Sequence, residues 1–251
     1  MACTRYTHAM SAKQLRPLAA RPDNLTSMVF EEIRDSIVDA TIAPGSRVSE
    51  ASLASQLKVS KTPVREALLR LRHIGLVEPT QRGLQVISPS VKAIRDAYEF
   101  RAGIEGVAGR YAANRASTEE HENIVLLAEH SLAYAESHDA ESFRHYDREF
   151  HSAIAAASRN ENLRQAVQDS LVLTSALRER DAQTSGDSVA CAREHVSVAE
   201  AIRAGNPERA GSTLNEHILH VMSLVLSSKP GVNTAGLRVN LVDTGVSTNI
   251  V

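Results

Sequence analysis

The sequence predicts a mainly α-helical chain in two parts: an N-terminal winged helix-turn-helix over residues 23–88, then an all-α antiparallel helical bundle over residues 89–228. Three observations carry this. Helical periodicity recurs three times before residue 75, then gives way to two short strand-like stretches around a turn. Beyond Ser88-Pro89-Ser90 almost everything is helical, with short breaks. Finally, 43% of the 251 residues are hydrophobic but only 4% are aromatic and Trp is absent, so the core must be aliphatic with many Ala contacts. Residues 1–22 and 229–251 lack helical spacing and read as tails.

Leu25, Val29, Ile33 and Ile37 repeat every four residues and predict a first helix over 25–40. Pro44-Gly45 is turn chemistry that ends this segment. Ser49 is the expected N-cap of a second helix, Glu50–Leu57, with Leu53, Ala54 and Leu57 inward. Thr62 before Pro63 predicts an N-cap and first helical position for a third helix running to about His73, with Val64, Leu68 and Leu71 inward and Gly75 as its stop. Leu76-Val77-Glu78 and Leu84–Ile87 are expected strands on either side of a Pro79–Gly83 loop. In the bundle, helices are expected near 90–114, 117–136, 139–158, 160–180, 187–204 and 207–227.

The formal net charge is −2, so any surface for a polyanion must be local. Between Lys58 and Arg82 six basic side chains stand against two acidic ones. A cationic stripe on one helix and a hairpin tip suits counterion displacement from phosphate. Arg is the best bidentate reader of guanine, so Arg65 is the expected base contact. Lys61 and Thr62 are candidates for phosphate or base edges, Arg72 and Arg82 for the DNA backbone, and Gly83 for a tight wing turn. Charge alone would fit ordinary solvated residues equally well; the order of caps, turn and hairpin favours DNA. Cys3 and Cys191 do not make a disulfide framework and suit a reducing cytoplasm. No run of about 18 apolar residues is present, and no membrane partner is expected.

The stretch LASQLKVSKTPVREALLRLRHIGLVEPTQRGLQV resembles the DNA-binding domain of the GntR family of bacterial regulators, over about residues 25–88. The resemblance implies a homodimer on an inverted repeat of double-stranded operator DNA. Lys61 stands where the family more often has Arg.

In the bundle, Asp147 and His151 are four residues apart and share one helix face. His195 and His217 lie on two later helices. Three imidazoles and a carboxylate form a set suited to a divalent ion, Zn or Ni foremost. Spacing alone leaves open that Asp147 and His151 are a surface pair and the other histidines satisfied polar residues. His220, three residues after His217, could compete with it as a ligand. His121, His130, His138 and His145 have no such partner logic and read as surface. Asn160 reads as a helix cap. Arg101, with Glu105 at i+4, is either an intrahelical ion pair or a guanidinium fork for a ligand carboxylate.

Residues 90–227 resemble the all-helical FCD domain of the FadR subfamily, in its six-helix, VanR-like variant. Metal-binding members are similar in having Asp-x-x-x-His and one His on each of two later helices; Asp147, His151, His195 and His217 fall on those positions. The resemblance implies a small carboxylate effector, favours the fork role for Arg101, and argues against an acyl-CoA sensor. The expected function is therefore a transcription regulator, foremost a repressor, with the Ser88–Ser90 linker coupling effector to DNA. Two alternatives are a purely structural metal and a metal-dependent hydrolase or lyase, the latter lacking a clear general base.

Overall fold

A computed structural model describes residues 23–178 and 185–229; the expected tails, apart from residue 229, lie outside them. Helix α1 (Asp23–Val38), strand β1 (Arg47–Val48), helices α2 (Glu50–Leu57) and α3 (Lys61–Ile74), and strands β2 (Val77–Thr80) and β3 (Gly83–Val86) form the head. Six helices follow: α4 (Val91–Arg115), α5 (Thr118–Glu136), α6 (Ala140–Ala157), α7 (Glu161–Leu177), α8 (Ser185–Arg203) and α9 (Pro207–Ser227). The fold class is as the sequence predicts.

The head has one core. Val29, Phe30, Ile33 and Ile37 of α1 pack on Val64, Ala67, Leu68 and Leu71 of α3. Leu25 stays exposed, in the first turn of α1 and one turn ahead of buried Val29. Ser49 caps α2, its side chain accepting from Ser52 N. Thr62 is not the cap of α3: the helix starts earlier, with Ser60 in the extended N-cap conformation. Pro63 is then a buried residue of the first turn, where its missing N–H costs nothing. Gly75 ends α3 at φ +93°, a left-handed stop that favours glycine.

The wing has three strands in the order β1-β3-β2, not two. Arg47 pairs with Gln85 across the unexpected strand. Pro79 lies inside β2 opposite Leu84 instead of in the loop, which shrinks to Gln81-Arg82. An outer strand tolerates proline because one row of its N–H groups has no ladder partner.

In the bundle, α4 is central and touches α6, α7, α8 and α9. Five of the six bundle helices start at a specific cap: Ser90 for α4, a Ser117/Glu120 capping box for α5, Asp139 for α6, Asn160 for α7 and Asn206 with Pro207 for α9. Gly106 and Gly109 of α4 lie against Ala210 and Gly211 of α9; a Cβ on Gly109 would stand 3.0 Å from Ala210 O. Helix α7 also meets the head, where Val172, Leu173 and Ala176 pack on its core. No helix among the described residues is long and apolar enough to cross a membrane.

Candidate metal centre and DNA-reading face

Helix α6 presents Asp147 and His151, α8 presents His195 and α9 presents His217, and the bundle brings all four together. One ligand atom from each lies within 4.8 Å of all the others. The three imidazoles are buried and Asp147 is partly so. His195 Nε2 is 3.1 Å from His217 Nε2, and Asp147 Oδ1 is 3.5 Å from His195 Nε2 and 3.9 Å from His151 Nε2.

The outer nitrogens decide what these inner ones can do. His151 Nδ1 is 2.6 Å from Glu105 Oε2, and His217 Nδ1 is 2.7 Å from Glu194 Oε2. Carboxylates accept, so both Nδ1 atoms carry the proton. Ser131 gives its hydroxyl hydrogen to Ala128 O and lies 3.0 Å from His195 Nδ1, which therefore donates to it. In their neutral forms all three rings then turn an Nε2 lone pair to the same point. No hydrogen bond joins His195 and His217 in that state, and His151 Nε2 is buried with no partner. Facing lone pairs repel unless a cation stands between them. Two nitrogens each about 2.1 Å from one ion sit roughly 3.0–3.4 Å apart, which matches the separation found. The residues fit a divalent ion.

The local electrostatics agree. Burial, then the neighbouring His151, holds His217 down to about 3, and burial and His217 hold His195 well below the usual histidine range. Burial would raise Glu105, but Arg101 and His151 outweigh it and leave it at about 2. Asp147 is likewise held below its ordinary value: burial opposes ionisation, and His151, His195, Arg178 and Arg101 overcome it. His195 and His217 are thus kept neutral and Glu105 and Asp147 ionised, the forms in which such groups bind metals.

Arg101 is buried, donating from Nε to Glu105 Oε1 at 2.5 Å and from Nη1 to Thr174 Oγ1 at 3.3 Å. The intrahelical ion pair therefore exists, and its guanidinium acts on Asp147, His195 and His217. His220 does not join the three Nε2 atoms; its Nδ1 is 2.7 Å from Glu194 Oε1, on the outer side of His217. Cys191, Glu194 and His220 group there. His138 and His145 are exposed as expected, whereas His121 and His130 are half-buried, His130 edge-on to Tyr146. Asn160 is a cap, accepting from Leu163 N. Sequence reasoning missed Ser131, Glu194, Thr174 and Arg178, whose partners are all distant in sequence or lie on other helices.

On the head, Lys61, Thr62, Arg65 and Arg72 are exposed on α3, and helical spacing puts Lys61, Arg65 and Arg72 on one flank. Arg65 is already engaged: Nε and Nη2 each reach a Glu50 carboxylate oxygen at 2.9 Å. Arg70 stacks on Phe30, 3.9 Å from the ring centre, so it belongs to the head's own packing. At the wing, Arg82 occupies the turn and Gly83 has φ +114°. Arg47, which sequence reasoning passed over, borders the same hollow as Arg82.

A basic helix and wing joined to a helical bundle with a buried polar centre define a DNA-binding transcription regulator. The chain belongs to the GntR family of bacterial regulatory proteins, which it matches over residues 25–84, with an FCD domain over residues 96–220. It is 30% identical over 136 residues to the "Uncharacterized HTH-type transcriptional regulator in the TAR-I ttuE-ttuC' intergenic region" of Agrobacterium vitis, covering 53% of this chain and 80% of that protein. It is 29% identical over 217 residues to the "Probable D-xylose utilization operon transcriptional repressor" of Paenarthrobacter nicotinovorans, covering 82% of this chain and 93% of that one. Its fold is similar to that of E. coli McbR/YncC, with a TM-score of 0.67 at 22% identity over 81% of this chain and 98% of that chain. The family relationships make it a transcriptional regulator and not an enzyme.

Proposed function

We propose that the chain is a repressor that binds an inverted-repeat operator as a homodimer and responds to a small carboxylate at a metal centre. The observation that supports this most is the set of three lone-pair-bearing Nε2 atoms facing one buried point, with each ring's tautomer fixed from behind. Asp147, His151, His195 and His217 hold the ion, with zinc or nickel best suited to the donors. When bound, the ion supplies a Lewis-acidic position for a carboxylate oxygen. Glu105, Ser131 and Glu194 hold the ring orientations. Arg101, fixed by Glu105 and Thr174, presents its guanidinium to the same ligand.

Arg65 and Lys61 on α3 meet the major groove with Thr62, while Arg72, Arg82 and the Gly83 turn meet the DNA backbone. The repressor name of the Paenarthrobacter relative favours repression. The ligand shifts the balance between two head orientations and so changes DNA affinity.

The test combines metal titration with operator binding. Wild-type protein should take up one zinc or nickel ion at this centre, and His195→Ala should lose it. A selected duplex should bind wild type, and Arg65→Ala should weaken that binding by about 10–100-fold. Unchanged uptake by His195→Ala overturns the centre; unchanged binding by Arg65→Ala overturns the reading face. The near-complete burial of all three imidazoles also suits a purely structural ion. In that case a chelator would unfold the bundle and no carboxylate would alter operator affinity.

A further inference from the structure

Cys191 and His220 take no part in the inner centre, yet the fold brings them together on its outer side. Cys191 and Glu194 stand three residues apart on one face of α8, and His220 comes across from α9. One donor atom from each lies within 4.8 Å of the other two. His220 Nδ1 is 2.7 Å from Glu194 Oε1. The other oxygen, Oε2, is 2.7 Å from His217 Nδ1. The carboxylate thus stands between the two groups of donors and turns Oε1 to the outer one. Cys191 is 2% exposed, whereas the side chains of Glu194 and His220 are 36% and 35% exposed. The cluster is closed on the thiol side and open to solvent on the other.

The donor types say what would bind. A thiolate, an imidazole and a carboxylate suit zinc and its thiophilic neighbours, whereas magnesium, calcium and manganese favour all-oxygen sites. Charge points the same way. An ionised thiol and a carboxylate carry two negative charges, which match a divalent ion without an outside anion. In the metal-free protein burial, then Glu194 and Asp147, push the Cys191 thiol up to about 12, with Arg178 opposing and Asp187 adding to the rise, so the thiol holds its proton. Binding exchanges the ion for that proton, which leaves to solvent. In the neutral ring of His220 the hydrogen moves from Nδ1 to Nε2, which frees Nδ1 as a ligand. Three protein donors with one solvent-facing side leave a fourth position for water, the pattern of an exchangeable ion and not of a closed structural one.

We infer that Cys191, Glu194 and His220 form a second, solvent-facing site for a divalent ion of the zinc class, separate from the inner centre. The site stands whether or not the inner centre holds an ion. Glu194 touches both, so Cys191 and His220 are the residues that tell them apart.

The experiment is cadmium titration of metal-free full-length protein kept reduced with a phosphine. It reads ions bound per chain by equilibrium dialysis and the ultraviolet charge-transfer band of a cadmium–thiolate bond. Wild type should develop the band, zinc should then erase it, and magnesium should not. Cys3→Ser should keep the band and Cys191→Ser should lose it. His220→Ala, a change at a half-buried side chain, should keep its helical circular dichroism but weaken band-forming uptake by about tenfold or more. His195→Ala, which removes an inner ligand, should keep the band. Absence of the band in the wild type overturns the inference, as does a band that survives Cys191→Ser or is unmoved by His220→Ala. Loss of the band in a folded His195→Ala would make Cys191 part of the inner site and overturn it too. The inner centre is judged separately, by the ion that His195→Ala ceases to take up. If that variant binds as many ions as wild type and keeps the band, the inner centre falls and the outer site stands.

Discussion

Glu105 serves two partners with one carboxylate, taking Arg101 Nε on Oε1 and His151 Nδ1 on Oε2. Replacing it with Gln removes the charge that Arg101 needs in a buried place. Glu105→Gln should cost about 3–5 kcal/mol, read from urea unfolding of metal-free protein. It should also weaken metal binding by about 10–100-fold, read by competition with a chelator. The second prediction concerns acid. In the metal-free fold His217 protonates at about 3, whereas an unfolded histidine does so near 6.5. Between those values the unfolded chain holds a proton that the folded chain lacks, so stability falls as pH falls through this window. Glu105, at about 2 against 4.5, adds in the same direction at lower pH. Metal-free protein should thus lose thermal stability steadily from pH 6.5 downwards, and a flat profile would contradict the buried neutral state of these rings. The four residues of the candidate centre were legible because Asp-x-x-x-His is a local pattern and two later histidines stood on helices. Glu105 was visible only as the i+4 partner of Arg101; its bond to His151 spans 46 positions, which no spacing rule reaches.

Among the elements, the crossing of α4 and α9 sets the size of the centre. Gly106 and Gly109 let α9 approach closely, and His217 lies on α9 beyond this contact while Arg101 and Glu105 lie on α4 before it. Valine at position 109 would press on the backbone carbonyl of Ala210, which cannot swing aside. Gly109→Val should destabilise the bundle by about 1–3 kcal/mol in denaturant titration. It should also weaken metal uptake by spreading the ligands, while leaving the isolated chemistry of each imidazole intact. Helix number and order were readable from apolar periodicity and caps, and Ser49 and Asn160 were identified correctly because a side-chain oxygen at an N-cap is a local requirement. The start of α3 was misplaced because Thr62-Pro63 imitates a cap two residues inside the true one. Strand β1 left no signal at all: two residues carry no period, and Arg47–Val48 is a strand only because β3 is there to pair with it.

In the whole molecule, Ser88–Ser90 reads as the only link between head and bundle, yet α7 touches both. Leu173 packs on the head core, near Gly75, and also on the bundle core, while Thr174, the next residue, faces Arg101. Such contacts, a hundred residues apart in the chain, are set by tertiary packing and are invisible to local pattern. Leu173→Ala should leave metal and carboxylate affinity within about twofold but shrink the ligand-induced change in operator affinity, a coupling of ordinarily about 1–3 kcal/mol. Calorimetry on the bundle site and fluorescence anisotropy on labelled duplex would separate the two effects; an undiminished response would place the coupling in the linker instead. Helix α7 is a stiff rod of 17 residues, about 25 Å long. A nudge of about 1 Å at one of its ends is a tilt of about 2°, and two-fold symmetry would apply it to both protomers of a pair astride half-sites roughly 34 Å apart. The receiver of the small molecule and the ruler laid against the operator would then be opposite sides of one beam, needing neither a hinge nor a melting loop to stay in step.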